Sequence, residues 1–177
     1  KIPKDAALTR RERFYVDGAR AYFERDAGRA QAIYRSMLRE FPFDVEARWL
    51  LALSYDLAFE DDAAVAELKR LLEQEPQNDY FWSYLGESYL RLGEYDLARQ
   101  ALDQYLKFKP RDPLGFTTLG QLDQLTGNLS RAADHFAHAL ELEPGFVPAR
   151  LALARTQVLR NMWDDAEAQL RRLASDE

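Results

Sequence analysis

An all-α fold made of stacked helix pairs is predicted by three observations. Alanines recur at Ala30, Ala64, Ala98, Ala132 and Ala166, each 34 residues from the next. Prolines keep the same step at Pro42, Pro76, Pro110 and Pro144. Between these marks, apolar residues return at three- and four-residue intervals, the spacing of helices with one buried stripe. A fixed period of this length marks repeats that bury their apolar faces only by stacking on neighbours. The chain of 177 residues therefore holds about five helix-turn-helix units and about ten helices.

The units follow in order after a lead-in at 1–10. Unit 11–44 keeps Phe14, Gly18, Ala30, Tyr34 and Pro42, but has Asp17 where the others have leucine, and its glycine, Gly28, comes late. Unit 45–78 keeps Leu51, Ala52, Tyr55, Ala64, Leu68 and Pro76. Unit 79–112 is the fullest: Trp82, Leu85, Gly86 and Tyr89 form one helix, Gly93 breaks it, and Tyr95, Ala98, Leu102 and Leu106 form the second. Pro110 cannot continue that helix, and Asp112-Pro113 opens the next as cap and first helical residue. Unit 113–146 repeats the pattern with Phe116, Leu119, Gly120, Gly127, Ala132, Phe136 and Pro144. Unit 147–177 keeps Leu153, Ala154, Trp163, Ala166 and Leu170. Gly86, Gly120, Ala52 and Ala154 sit mid-helix, where glycine costs about 1 kcal/mol against alanine, so another helix is expected to pass close there.

These residues resemble the tetratricopeptide repeat. The resemblance covers 11–177 and implies a right-handed α-solenoid with no catalysis of its own, holding a peptide, helix or partner domain. It also implies that the first helix of each unit lines a concave groove. Side chains off the packing stripe should then face that groove: Tyr15, Ala19, Tyr22, Trp49, Leu53, Asp56, Tyr80, Ser83, Glu87 and Arg91, followed by Thr117, Gln121, Gln124, Leu151, Arg155 and Val158. Trp, Tyr and Arg are the residue types enriched in binding hot spots. Trp49 has two places open to it: the groove, or the aromatic packing position that Arg48 leaves vacant. Arg150, Asp123 and Gln157 also put polar groups where other units pack aromatics, either near water or as a polar patch with Arg155. Chaperone-binding members of the family clamp a C-terminal carboxylate with cationic side chains. The corresponding places here hold Tyr15, Ala19, Tyr84, Leu114 and Thr118, so the carboxylate tail of heat-shock proteins is not an expected ligand.

Composition narrows the function further. Net charge is −6, and no basic stripe is present to neutralise phosphates, which argues against nucleic acid. Residues 1–44 carry +3 and residues 45–78 carry −5. No apolar run reaches membrane-span length, so direct membrane insertion is not expected. The absence of cysteine removes disulfide and thiolate chemistry. A cytoplasmic location fits, with a periplasmic or membrane-anchored full-length protein left open. The nineteen arginines against five lysines suggest a bacterial source.

No catalytic motif or cofactor site stands out. Gly86-Glu87-Ser88-Tyr89-Leu90 begins like a nucleophile elbow but lacks the second glycine and lies within a helix. Asp61-Asp62 and Asp164-Asp165 fall where second helices start and serve the helix dipole and its free amides. His135 and His138 share a helix face but lack the third ligand and supporting partners a metal site requires, so no metal is expected. An alternative function is a regulatory or sensor module of a larger bacterial signalling enzyme, of kinase or cyclase type, or of a transcription regulator. The stretch Leu8–Tyr15 resembles segments leading into such repeat domains, and an opening Lys1 is compatible with an upstream domain. A monomer or weak homodimer is expected, because Arg171, Arg172, Ser175 and Asp176 soften the C-terminal end.

Overall fold

The computed structural model describes residues 8–175; most of the lead-in, 1–7, and the last two residues, Asp176 and Glu177, lie outside them. Ten α-helices follow one another with no strand among the described residues: α1 (Arg10–Phe23), α2 (Ala27–Glu40), α3 (Val45–Leu57), α4 (Asp61–Gln74), α5 (Asp79–Leu92), α6 (Tyr95–Phe108), α7 (Pro113–Leu125), α8 (Leu129–Leu142), α9 (Val147–Leu159) and α10 (Trp163–Ser175). They divide into two compact units, residues 1–76 and 77–177.

In the N-terminal unit α1 packs on α2, α2 on α3 and α3 on α4. The core joins Ala21, Ala30, Tyr34, Leu51, Tyr55 and Ala64. In the C-terminal unit the second helices α6 and α8 each lie between first helices: α6 touches α5 and α7, and α8 touches α7 and α9, while α10 packs on α9. Phe136 is fully buried there, clustered with Ala132, Ala133 and Leu153.

The 34-residue beat also runs through the backbone. The left-handed residue between the two helices of each pair is Arg25, Phe59, Gly93, Gly127 and Asn161 in turn. In the first repeat that residue is Arg25 and not the late Gly28, which lies in the first turn of α2, where an added Cβ would meet Asp26 Oδ1 at 4.0 Å. Phe59 holds φ 58° while 77% exposed. A side chain in this region costs about 1–2 kcal/mol, part of which glycine gives back as unfolded-state freedom. Phe59→Gly is therefore expected to stabilise the protein by about 0.5–1 kcal/mol in denaturant melts. No change, or a loss, would show the turn to be unstrained.

Helix starts are capped locally. Thr9 and Glu12 form a reciprocal capping box at α1. Asp26, Asp44 and Asp112 accept amide hydrogen bonds at α2, α3 and α7. Asp61, Asp62, Asp164 and Asp165 lie in the first turns of α4 and α10, where their charge favours the helix dipole. The α4 cap residue itself is Glu60, which makes no side-chain cap bond.

The mid-helix small residues mark close approach. A Cβ on Gly18 would stand 2.5 Å from the Tyr34 ring, and one on Gly120 would stand 2.5 Å from Phe136. Leu102 occupies the corresponding space at Gly86. Trp82 is only half-buried, whereas Phe81 beside it is 4% exposed, so Phe81 contributes more to the core of α5 than the period suggests.

Candidate binding surface

In the N-terminal unit, the residues expected in a groove are largely engaged by the fold. Tyr15 donates its hydroxyl to Asp44 Oδ1 at 2.6 Å. Arg11 approaches the other Asp44 oxygen at 2.7 Å and lies 6.0 Å from the centre of the Tyr15 ring. Burial and the Asp44 charge push the Tyr15 phenol up to about 12. Burial works to raise the Asp44 carboxyl, but the bonds from Tyr15, Ala47 N–H and Arg11 outweigh it and hold the group below the usual carboxylate range. Tyr15 thus ties α1 to the cap of α3. Tyr22 is half-buried against the core of the same unit. Leu53 and Trp49 are half-buried as well.

Trp49 does not replace the missing aromatic, because Arg48 fills that position itself. Its guanidinium meets Glu67 Oε2 at 2.6 Å and donates to the Pro42 carbonyl at 2.9 Å. Arg150 repeats the arrangement three periods later, donating to the Pro144 carbonyl and to Gln169 Oε1. Arg150 is 6% exposed, so it forms no surface patch with Arg155. The signal was present in the sequence: each of Arg48, Pro42 and Glu67 has its counterpart 102 residues on.

The C-terminal unit carries a more open surface. A cleft of about 330 Å³ is lined from α5 by Asp79, Tyr80, Ser83, Tyr84 and Glu87. Tyr105, Lys109, Asp112 and Leu114 close it from α6 and the start of α7. Tyr80 is 64% exposed. Lys109 Nζ lies 3.4 Å from Asp79. Tyr105 donates its hydroxyl to Asp112, which also accepts from Leu114 N–H, and burial with that charge raises the Tyr105 phenol. Arg91, Gln121, Leu151, Arg155 and Val158 are exposed or partly so. Gln124 is half-buried and donates to Thr156 Oγ1 at 2.7 Å, bridging α7 and α9. Thr117 is a correction: it is 1% exposed, with its hydroxyl bonded to the Pro113 carbonyl, because its face of α7 turns into the core.

Asp123, expected near water or in a patch, is fully buried. Arg99 of the preceding helix pair meets its Oδ1 at 2.5 Å, Arg131 stands 3.6 Å away, and His135 Nε2 lies 3.2 Å from Oδ2. Sequence reasoning missed this cluster because Arg99, Arg131 and His135 lie 24, 8 and 12 residues from Asp123, on two other helices. His138 turns the other way, to Glu141 at 3.0 Å and edge-on to Phe116. No three metal-ligating side chains converge among the described residues.

Burial lowers the His135 pKa below 6.5, and Arg131 and Arg99 add to this against the pull of Asp123 and Asp134. The folded state therefore binds this proton less readily than the unfolded chain does. The contribution is complete above the unfolded value and is lost as pH falls from about 6.5 towards the lower folded value. Denaturant midpoints for wild type should drop between about pH 8 and about pH 5, and His135→Gln should flatten that part of the profile. An unchanged slope would remove His135 as its source.

Two stacks of paired helices, with first-helix residues left open beside a cleft, define a helical-repeat protein. The family model for the tetratricopeptide repeat matches residues 21–83, 62–122 and 125–177, and the chain belongs to that family. Its fold is that of solved structures of MamA: MamA 41-end from Desulfovibrio magneticus RS-1 superposes with TM-score 0.83 at 16% identity, covering 96% of each chain. The tetratricopeptide protein TTC0263 from Thermus thermophilus gives TM-score 0.72 at 22% identity, covering 93% of this chain and 90% of that one. By sequence, the chain is 29% identical over 125 residues to the general transcriptional corepressor ssn6 of Schizosaccharomyces pombe, spanning 68% of this chain and 11% of that protein. It is 27% identical over 112 residues to Superkiller complex protein 3 of Mus musculus, spanning 63% of this chain and 7% of that protein. The chain thus spans a small part of the curated relatives it matches. No described helix is long and apolar enough to cross a membrane.

Proposed function

We propose that this protein is a non-catalytic scaffold that holds a peptide, helix or partner domain against the exposed faces of its first helices. The observation that carries this reading is the open row on α5, α7 and α9. Tyr80 is 64% exposed and Leu151 48%, and Gln121 and Arg155 are exposed beside them. Repeat stacks use such extended surfaces for recognition, and an exposed tyrosine beside a cleft is a hot-spot arrangement. In the N-terminal unit, the half-buried Trp49 and Leu53 on α3 occupy the equivalent face.

A test is a crosslinking pull-down with wild type, Tyr80→Ala and Trp49→Ala, with thermal melts run beside it. Tyr80→Ala should lose partner recovery at least about tenfold, which corresponds to about 1.4 kcal/mol, while melting near wild type. Equal recovery with both variants would reject the first-helix face as the binding surface. A second reading, a regulatory module within a larger protein, is favoured by the small share of its relatives that the chain spans. Sequencing the complete gene would decide it: a kinase, cyclase or DNA-binding domain in the same chain supports it, and the repeat array alone rejects it.

A further inference from the structure

We propose that the cleft of the C-terminal unit receives an arginine or lysine side chain of a bound extended polypeptide. This rests on the first-helix reading above and names the chemistry of its partner.

Charge is the first ground. Three carboxylates, Asp79, Glu87 and Asp112, line the cleft against one ammonium, Lys109. Lys109 lies beside Asp79, and Asp112 is bonded to Tyr105 and to the cap of α7. The lining is therefore negative on balance, and Glu87 contributes to that balance from the second half of α5. The walls are the second ground: the rings of Tyr80 and Tyr84 line the cleft, and a cation over the face of an aromatic ring is attracted by the ring quadrupole. Leu114, 43% exposed, offers an apolar surface for the methylene stem. The volume, about 330 Å³, is at the low end for ligand pockets and suits side chains more than a cofactor.

The third ground is the repeat itself. Stepping by 34 from Glu87, the same helix position holds Ala19, Leu53, Gln121 and Arg155. Glu87 is the single carboxylate in that row, and within the C-terminal unit the row changes sign from Glu87 through Gln121 to Arg155. A polypeptide lying along α5, α7 and α9 meets a negative site at one end and a positive one at the other.

The test uses the full chain and labelled extended peptides identical except at one central position, which is arginine, citrulline or glutamate. Binding is read by fluorescence anisotropy. The arginine form should bind about tenfold tighter than the citrulline form, and added salt should shrink that gap. Glu87→Gln should abolish the preference, and Glu87→Arg should turn it towards glutamate, with melting curves confirming that both variants fold. Equal affinity for arginine and citrulline forms, or a wild-type preference for glutamate, overturns the proposal. So does a concentration-dependent dimer that Tyr80→Ala disrupts when no peptide binds, since a second copy would then occupy the cleft. If lysate partners require Tyr80 while arginine and citrulline bind alike, the scaffold reading stands and this one fails.

Discussion

Arg48→Ala is expected to destabilise the protein by about 3 kcal/mol, at the low end for breaking a buried ion pair because Glu67 keeps a second partner. The side chains of Arg48 and Glu67 are 13% and 11% exposed, so little water can replace what is lost. That second partner is Arg70, 2.7 Å from Glu67 and itself 58% exposed. Arg150→Ala should cost less, about 1–2 kcal/mol, because its side-chain partner Gln169 is neutral and leaves no unpaired charge. The repeats suggest a rescue. At these two helix positions the chain pairs Phe14 with Ile33, Arg48 with Glu67, Trp82 with Ala101, Phe116 with His135 and Arg150 with Gln169. The large partner and its neighbour 19 residues on change together. Arg48→Trp combined with Glu67→Ala copies the third repeat and should recover stability to within about 1 kcal/mol of wild type, since a packed apolar pair commonly replaces a buried ion pair without loss. Guanidinium chloride titration of the three variants measures each step. A double variant no better than Arg48→Ala would mean that the charges are needed for more than filling the site.

Phe136→Ala is expected to cost about 3–5 kcal/mol, because the ring is fully buried and its removal leaves a cavity between α7, α8 and α9. Gly120→Ala should cost about 1–3 kcal/mol by overpacking, since the new methyl would meet the same ring at 2.5 Å. Combined, the two should be less damaging than their sum, and in the Phe136→Ala background Gly120→Ala should stabilise. A sign reversal of this kind is the mark of two residues sharing one space. Strict additivity in denaturant midpoints would rule out a lock between them. The same lock recurs at Gly18 with Tyr34, and the smaller Leu102 takes the place of the ring at Gly86.

The legible part of this protein is the part set by local spacing. Helix pairs, proline stops and small mid-helix residues follow from a period that each repeat expresses within its own 34 residues. Amphipathic stripes need only i, i+3 and i+4 information, so they can be read without coordinates. The expected groove lining was less legible. Tyr80, Gln121 and Arg155 stand exposed on first helices, but Thr117 is buried and Tyr15 is tied to Asp44. Helical periodicity gives a direction about the axis; it does not say how far the next repeat covers that direction.

The repeat, the helix pairs and the positions where backbones must approach follow from the order of residues alone, because short-range sterics and apolar periodicity act within one unit. What the departures from the repeat mean depends on how the helices pack. Arg48 finds Glu67 and the Pro42 carbonyl, and Asp123 finds Arg99 from the previous helix pair. A buried polar group must be satisfied by whatever lies across the packing interface. Glu67 and Arg99 lie on other helices than the residues they meet, so the periodicity within one helix does not name them, whereas the packed helices do.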